Sequence, residues 1–352
     1  MPTDAPPQPI HSAKAAMESL AAILGAALPP AVASSDDPTA ALLRDADVAR
    51  AVTARLRGPG SGAGTDSVCR WLYDAFRSGL PDLQLAVLRF VPTLAGVYMC
   101  RAVSRKPLAG FEAVLLALYA HAAAQRAESE ITVALPNLAK PSPYHAAAAA
   151  TKPPPPPPKA AANKPADPDV VVAVLSPPLE PHGTVRATRR ARIVGAVLEL
   201  YHAKLAHMPV SSKLDLCEFC VAWAGTRSAL DNDKTRIASG GPTPDAAAGA
   251  EEKWRRVPLP WELFQPALRI VAHCLMGPAR SEELKAQATR AVECLYWRAA
   301  ETVDARALLT TRSLMRLSHM VEEPIPEPSF TGTVENAAEL EAMRANILSA
   351  KN

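Results

Sequence analysis

The sequence predicts an all-α protein, an irregular array of antiparallel helices joined by long loops rich in Pro, Ala and Gly. Apolar residues recur at intervals of three and four, which is the spacing of one helix face. Hydrophobic residues make up 49% of the 352 residues but aromatics only 5%, so the helices should pack closely around a few large side chains. The 35 prolines must lie mostly between helices, because Pro breaks a helix interior.

The helices of the first half follow from these apolar stripes. Three helices are predicted before residue 80, over residues 12–28, 40–56 and 66–78. The Gly-rich residues 58–64 predict a loop and lack the Lys–Ser/Thr ending of a phosphate-binding loop. Pro81 should open a long fourth helix and Pro92 should kink it. The clearest stripe predicts a fifth helix, with apolar residues at offsets 0, 3, 4, 7 and 8: Phe111, Val114, Leu115, Leu118 and Tyr119.

The middle of the chain changes character. Residues 131–135 are β-prone, and residues 170–175 predict either a short strand or an extended docking segment. Between them the run Pro153 to Pro158 favours polyproline II, as a spacer or as a ligand for an aromatic-lined groove. Helices are then predicted over residues 193–208, 211–223, 261–276, 281–298, 303–319 and 334–348.

These patterns divide the chain into four regions. They are an N-terminal helical half (1–130), an extended segment with a Pro-rich linker (131–183), a C-terminal helical half (184–320), and a Pro-rich stretch with a terminal helix (321–352). The sequence contains no repeat of fixed length, so a simple tandem solenoid is not predicted.

Charge and cysteine content exclude several classes of protein. With 38 basic and 35 acidic residues, the net charge of +3 is too small for general nucleic-acid binding, which depends on a strong basic excess. Six scattered cysteines do not suggest a disulfide framework and favour a reducing, intracellular location. The N-terminus shows no secretory signal, and the longest near-apolar stretch, residues 20–33, is shorter than the roughly 20 residues that span a bilayer. We therefore expect no transmembrane segment.

One motif raises the question of catalysis or metal binding. Cys217 and Cys220 form a CxxC motif, but no second ligand pair for zinc follows at a suitable spacing. Both lie on an apolar helical stripe, which predicts buried structural thiols rather than a thiol or zinc enzyme.

The histidines are dispersed along the chain. His202 and His207 lie near a helix end and are interpreted as cations that complement the helix dipole. We predict no catalytic, cofactor-binding or metal-binding residues.

A cluster of arginines stands out before the second helical half. It consists of Arg186, Arg189, Arg190 and Arg192. Cations near a helix N-terminus oppose the helix dipole, so this cluster needs an explanation. A solvated surface is the simplest interpretation. The alternatives are an acidic partner or anionic lipid headgroups, where each Arg gains about 1 kcal/mol.

Several ordered strings resemble one family. Residues 85–98 read LAVLRFVPTLAGVY, residues 112–119 read EAVLLALY, and residues 136–145 read PNLAKPSPYH. In the second half, residues 208–212 read MPVSS and residues 296–299 read YWRA. Strings of this kind, in this order, are similar to those of the hyccin family, and the resemblance covers about residues 65–320. Its most specific part is a signature segment formed by Pro136, Leu138, Lys140, Pro141, Ser142, Tyr144 and His145.

The resemblance implies a non-catalytic scaffold or stabilising subunit of the plasma-membrane phosphatidylinositol 4-kinase alpha complex. Such a subunit is all-helical and cytoplasmic and pairs with a tetratricopeptide-repeat subunit. It supports recruitment of the kinase to the plasma membrane and phosphatidylinositol 4-phosphate production, alongside a membrane-anchored scaffold that it meets indirectly. The implied protein has no cofactor, does not bind nucleic acid and contacts the membrane peripherally at most. The alternative function is a peripheral adaptor that binds anionic lipid through the arginine cluster.

Overall fold

The computed structural model describes residues 10–27, 36–103, 108–136, 170–225, 257–277 and 281–322, and within the last helix it describes side chains to residue 318. The first half contains helices α1 (Ala13–Leu24), α2 (Pro38–Arg44), α3 (Ala46–Arg57), α4 (Ser67–Arg77), α5 (Pro81–Leu88), α6 (Val91–Val103) and α7 (Ala109–Arg126). Strands β1 (Ile131–Pro136) and β2 (Val170–Ser176) follow. The second half contains α8 (Arg190–Ala203), α9 (Val210–Ala224), α10 (Trp261–Met276), α11 (Glu282–Thr302) and α12 (Ala305–Glu322). The predicted all-α fold class is confirmed, and the terminal helix predicted at 334–348 lies outside the described residues.

The single helix predicted over residues 40–56 was wrong, because Asp45 divides it into α2 and α3. Asp45 has an extended backbone, and its carboxylate accepts hydrogen bonds from the backbone N–H groups of Asp47 (2.8 Å) and Val48 (3.0 Å). A carboxylate in this position satisfies the unpaired donors at a helix start. The apolar stripe runs through both helices, so periodicity alone does not reveal the break.

The break predicted near Pro92 is present. Helices α5 and α6 meet at Arg89 and Phe90 and are bent by 46° relative to each other. Pro92 is the second residue of α6. The first N–H groups of a helix have no partner within it, so a proline at this position costs no helical hydrogen bond.

Among the described residues no single helix is long and apolar enough to cross a bilayer. Only the bent pair α5–α6 meets that test, by length and composition.

Helix α6 lies at the centre of a core that includes residues from both halves. All of its residues from Val91 to Arg101 are buried, so other helices pack around it on every side. In the first half α7 packs against α4, and across the middle of the fold α9 packs against α6 and α8 against α7. In the second half α10 lies against α8, and α11 lies against both α9 and α12.

Two glycines allow helices of different segments to approach closely. A Cβ at Gly96 of α6 would lie 2.2 Å from the ring of Phe219 on α9, and a Cβ at Gly195 of α8 would lie 2.2 Å from the backbone oxygen of Glu262 on α10. Both distances are far below van der Waals contact. The core therefore depends on glycine at these crossings, which agrees with the close packing expected from the composition.

A polar cluster joins α3 to α9 beside these contacts. The Arg57 guanidinium donates to both carboxylate oxygens of Glu218 (2.8 and 2.7 Å) and to Asp215 (3.1 Å), and lies 4.8 Å from the centre of the Phe219 ring. Thr93 of α6 donates to the other Asp215 oxygen at 3.2 Å. Burial raises the pKa of Asp215, while the hydrogen bond to Glu218 raises the pKa of Arg57. The cluster fixes the first half of the chain against the second.

We predict that Gly195→Ala destabilises the fold by about 3 kcal/mol, because a methyl group cannot fit against a backbone oxygen. Helix propensity alone predicts the opposite sign, a gain of about 1 kcal/mol. Gly60→Ala is the matched control: a Cβ there has no heavy atom within 4 Å, and its effect should stay within about 0.5 kcal/mol. Urea unfolding of both variants measures the difference, and an unchanged Gly195→Ala protein would contradict the α8–α10 packing.

Candidate partner-binding surface

A small antiparallel sheet interrupts the helical array. Strand β1 pairs with β2 so that Ile131 faces Ser176 at one end and Pro136 faces Val170 at the other. Both β-prone segments predicted from the sequence are therefore strands. No third strand lies beside either of them within the described part of the chain. We call the end at Ser176 the base of the sheet and the end at Pro136 its tip.

The sheet exposes large apolar side chains. The exposed fractions are 44% for Leu135, 51% for Val171, 64% for Val172 and 53% for Val174. Since successive side chains of a strand point to opposite faces, Val171 and Val172 expose both faces of the sheet. An isolated two-stranded sheet is at best marginally stable in water. This one needs support from its base or a covering partner.

The base of the sheet is held by a buried polar cluster, which we call the anchor: Arg126 at the end of α7, Ser176 at the end of β2 and Glu199 of α8. The Arg126 and Glu199 side chains are only 12% and 5% exposed and form an ion pair. Arg126 also donates to the Ser176 hydroxyl oxygen at 3.0 Å, and that hydroxyl donates to Glu199 at 3.1 Å. The anchor thus connects two helices and a strand, and it stabilises the sheet at one end only.

The chain enters the sheet through a strained turn. Ala127 and Glu128 have φ angles of 43° and 63°, in the left-handed region that non-glycine residues seldom adopt. The Ala127 N–H still donates to the carbonyls of Ala123 (3.2 Å) and Ala124 (3.3 Å), which ends α7. Both residues lie in the turn that connects α7 to β1.

Sequence analysis did not identify the three anchor residues. One signal was available: Glu199 is an acid within an otherwise apolar stretch of α8, where residues 193–201 are all buried. A carboxylate in such a position requires a partner. The identity of that partner depends on long-range packing, which one sequence does not reveal.

Only the first residue of the signature segment lies within the described residues. Pro136 is the last residue of β1, at the tip of the sheet. The other six residues, Leu138, Lys140, Pro141, Ser142, Tyr144 and His145, lie outside the described part of the chain. The signature segment therefore begins at the tip of the sheet.

The arginine cluster lies on the segment that follows β2, and most of its members have partners within the chain. Arg189 pairs with Glu180 at 2.7 Å, and Arg192 donates to the Pro177 carbonyl at 2.8 Å. Arg190 donates to the Tyr98 hydroxyl oxygen at 2.9 Å. Arg186 is exposed. These contacts stabilise the path of the chain from β2 into α8, and a role in binding an anionic partner or lipid stays a prediction.

Two tyrosines connect the segment after β2 and the start of α8 to the helices of the first half. The Tyr119 hydroxyl donates to the Glu180 carbonyl at 2.7 Å, and its ring stacks on His182 with centroids 5.3 Å apart. The Tyr98 hydroxyl donates to Glu112 at 3.2 Å while accepting from Arg190. Burial, opposed by Arg190, raises the pKa of Tyr98 to about 12, so this hydroxyl keeps its proton at neutral pH. The segment after β2 is therefore fixed to α7.

The CxxC cysteines are buried in the core, as predicted. Cys217 and Cys220 of α9 are 0% exposed and lie near Cys274 of α10. Burial raises the pKa of Cys220, and both a hydrogen bond with Cys274 and burial raise the pKa of Cys217. Within the described residues, no group of three or more His, Cys, Asp or Glu side chains is placed to hold a metal ion. What the arrangement supports is packing rather than thiolate chemistry.

The interpretation of His202 as a helix-capping cation was wrong. Burial, together with the nearby charge of Arg269, lowers its pKa to about 4. The ring is therefore neutral at physiological pH, and its Nδ1 lies 3.5 Å from the Arg269 guanidinium. Its position in the last turn of α8 suggested a favourable dipole interaction, but the packed surroundings outweigh that interaction.

Comparison with known protein families matches residues 33–340 to the family described as Hyccin. The matched span includes α2 to α12, both strands, the anchor and the whole signature segment.

We predict that removing one member of the anchor pair strongly destabilises the fold. Arg126→Met leaves the Glu199 carboxylate buried without its cation, and the expected loss is about 3–5 kcal/mol. The double variant Arg126→Met with Glu199→Met should recover most of that loss, since neither charge then remains. A urea-unfolding double-mutant cycle measures the coupling, and additive effects would contradict a buried pair.

A second prediction concerns the thiols. Cys294 is half-buried and the other five cysteines are buried, so brief iodoacetamide treatment of the native protein should label Cys294 first. Labelling of Cys217 and Cys220 should require unfolding, because burial and raised pKa values both suppress the thiolate. Peptide mass spectrometry measures each site. Rapid native labelling of either CxxC cysteine would favour a reactive thiol site.

Proposed function

The chain belongs to the hyccin family, and on that premise we propose that it acts as a non-catalytic scaffold or stabilising subunit of a phosphatidylinositol 4-kinase complex. Family membership supports a role in the phosphatidylinositol 4-kinase alpha complex in general terms. We further propose that the chain pairs with a tetratricopeptide-repeat subunit. The pair stabilises the kinase, supports its recruitment from the cytoplasm to the plasma membrane and thereby sustains phosphatidylinositol 4-phosphate production.

The exposed sheet is the observation that carries this proposal. Val171, Val172 and Val174 are each more than half exposed, and contiguous exposed apolar side chains are a mark of protein interaction sites. The anchor holds the base of the sheet in place with a buried ion pair. A surface that is already ordered binds with a smaller loss of conformational entropy than a flexible one.

A helical-repeat subunit suits this surface by shape. Stacked helical repeats form extended concave surfaces, and a narrow sheet that exposes both faces can enter such a groove and bury both. The first residue of the signature segment, Pro136, ends β1 at the tip of this surface. We therefore propose the sheet as the docking site for the repeat subunit.

The alternative function, a lipid adaptor acting through the arginine cluster, receives less support. Arg190 and Arg192 are only partly exposed and donate to acceptors within the chain. Arg189 is 51% exposed but is paired with Glu180. Binding to phosphates through these side chains competes with the contacts that fix the segment after β2, whereas Arg186 carries no such penalty.

The docking proposal predicts that Val172→Thr with Val174→Thr weakens co-purification of the tetratricopeptide-repeat subunit at least tenfold, which corresponds to about 1.4 kcal/mol. Thr keeps the β-branched shape, so the strands should persist. Leu309→Thr is the matched control, because Leu309 is 72% exposed on a different element. Circular dichroism and thermal unfolding verify folding of each variant.

Two results would overturn the docking site. One is full retention of the repeat subunit by the folded double valine variant. The other is an equal loss with Leu309→Thr, which would show that any exposed apolar side chain matters and that the sheet has no special role.

A further inference from the structure

The turn between α11 and α12 contains a valine that the fold does not explain. Val303 has a φ of 56°, and its N–H donates to the carbonyls of Ala299 and Ala300. The Asp304 N–H also donates to Ala299 (3.2 Å), so Val303 takes the left-handed position that glycine usually occupies at a helix end. A β-branched residue is strongly disfavoured there. The Val303 side chain is 79% exposed, so little packing offsets that strain.

The outer face of α12 exposes further apolar side chains and adds positive charge. Leu309, Arg312, Arg316 and Leu317 lie at offsets 0, 3, 7 and 8, which is one helix face. Leu309 and Leu317 are 72% and 42% exposed, and both arginines are exposed as well. The opposite face, with Ala307, Thr311, Leu314 and Ser318, is buried against the fold. We call Val303 with this outer face the α12 surface.

The charge of this surface is one-sided. Over residues 305–318, where the side chains of α12 are described, the helix contains three arginines and no acidic residue. Asp304 lies at the turn, but its carboxylate accepts from the backbone N–H groups of Arg306 (3.0 Å) and Ala307 (3.2 Å) and so caps the helix. Glu301 also interacts within the chain. Arg306 lies over the Trp261 ring at 5.0 Å and Arg312 over the Tyr296 ring at 6.0 Å. All three arginines remain exposed, and Arg312 and Arg316 are the two on the outer face.

We propose that the α12 surface contacts an anionic membrane directly. Val303 and Leu309 enter the boundary between headgroups and acyl chains, while Arg312 and Arg316 pair with lipid phosphates. Leu309 and the two arginines share one exposed helix face, and Val303 is exposed at the turn before it. Exposed apolar side chains combined with arginines fit such a boundary. The subunit then has a membrane contact of its own, which does not depend on the repeat subunit.

The exposure of the apolar side chains favours a membrane over an acidic protein surface. Val303 and Leu309, at 79% and 72% exposed, project from the fold rather than line a groove. A protein partner must supply a complementary pocket for each projecting side chain. A fluid lipid boundary accepts both without matched shape, and the arginines supply the attraction to negative charge.

Vesicle flotation of the full chain tests the proposal, with vesicles of phosphatidylcholine alone and of phosphatidylcholine mixed with phosphatidylserine. We expect flotation with the mixed vesicles that decreases as salt is raised. Arg312→Glu with Arg316→Glu should weaken it by at least about fivefold for each arginine. Val303→Gly should weaken it by about fivefold to tenfold, since the buried valine side chain is lost. That variant should keep or raise the unfolding temperature, because glycine relieves the left-handed strain.

Two charge reversals elsewhere serve as controls. Arg50 of α3 is 74% exposed, and Arg50→Glu should leave flotation unchanged. Arg186→Glu tests the arginine cluster and should also leave it unchanged. Co-purification of the repeat subunit, measured in parallel, should be the same for every α12 variant, which separates this proposal from the docking proposal.

Four outcomes would overturn the membrane contact. They are no flotation of the wild-type chain with mixed vesicles, equal flotation with neutral vesicles, normal flotation of the folded α12 variants, and loss of flotation with Arg186→Glu alone. Loss of a protein partner by the α12 variants with flotation unchanged would instead identify the surface as a protein contact.

Discussion

The close approach of α6 and α9 is the contact on which the rest of the fold depends. Helix α6 is buried on all sides, so each neighbouring helix must fit its surface rather than adjust toward solvent. Gly96 gives the Phe219 ring room at the crossing, and the Trp223 ring N–H donates to the Gly96 carbonyl at 3.4 Å. Arg57 then pairs with α9 beside the same ring. Because one helix serves both halves, neither half has a complete core without the other.

The interactions that hold the sheet in place differ from those that stabilise the core. Core helices are held by burial of apolar surface, whereas the sheet is held at its base by charge and hydrogen bonds. A buried ion pair contributes little net stability compared with apolar packing, but it is demanding in geometry. The three groups of the anchor satisfy one another, and this fixes the position of the strands. The apolar residues farther along the sheet are then free to meet a partner.

Local rules predicted much of this molecule. Helical spacing identified most of the helices, and Trp261–Met276 has the bounds expected from its apolar pattern. The β-prone segments became strands, although their pairing and exposure were not predicted. Asp45 was the missed capping signal inside a continuous apolar stripe. Capping depends on one residue, whereas the apolar periodicity is a pattern over many residues. The periodicity therefore did not reveal the break at Asp45.

The contacts that sequence analysis did not identify share a cause, since each joins a residue to a distant segment. Arg190 reaches Tyr98, which lies 92 residues earlier, and Arg126 pairs with a carboxylate 73 residues later. His202 is neutral because of burial and Arg269 on another helix. The sequence shows that these charged side chains are unusual among their neighbours. It does not show which distant groups pair with them in the fold. The strain at Val303 is likewise visible only from its backbone angle.

The two exposed surfaces should respond differently to solution conditions because their chemistry differs. The strands of the sheet contain no charged residue, so its association is driven by removal of apolar area from water and should depend little on salt. The α12 surface combines apolar side chains with arginines, and attraction between exposed charges is screened within about 10 Å at 0.1 M salt. Raising the salt concentration should therefore weaken a membrane contact while leaving a subunit contact intact. Under the two proposals, the chain keeps its protein partner at salt concentrations that release it from the membrane.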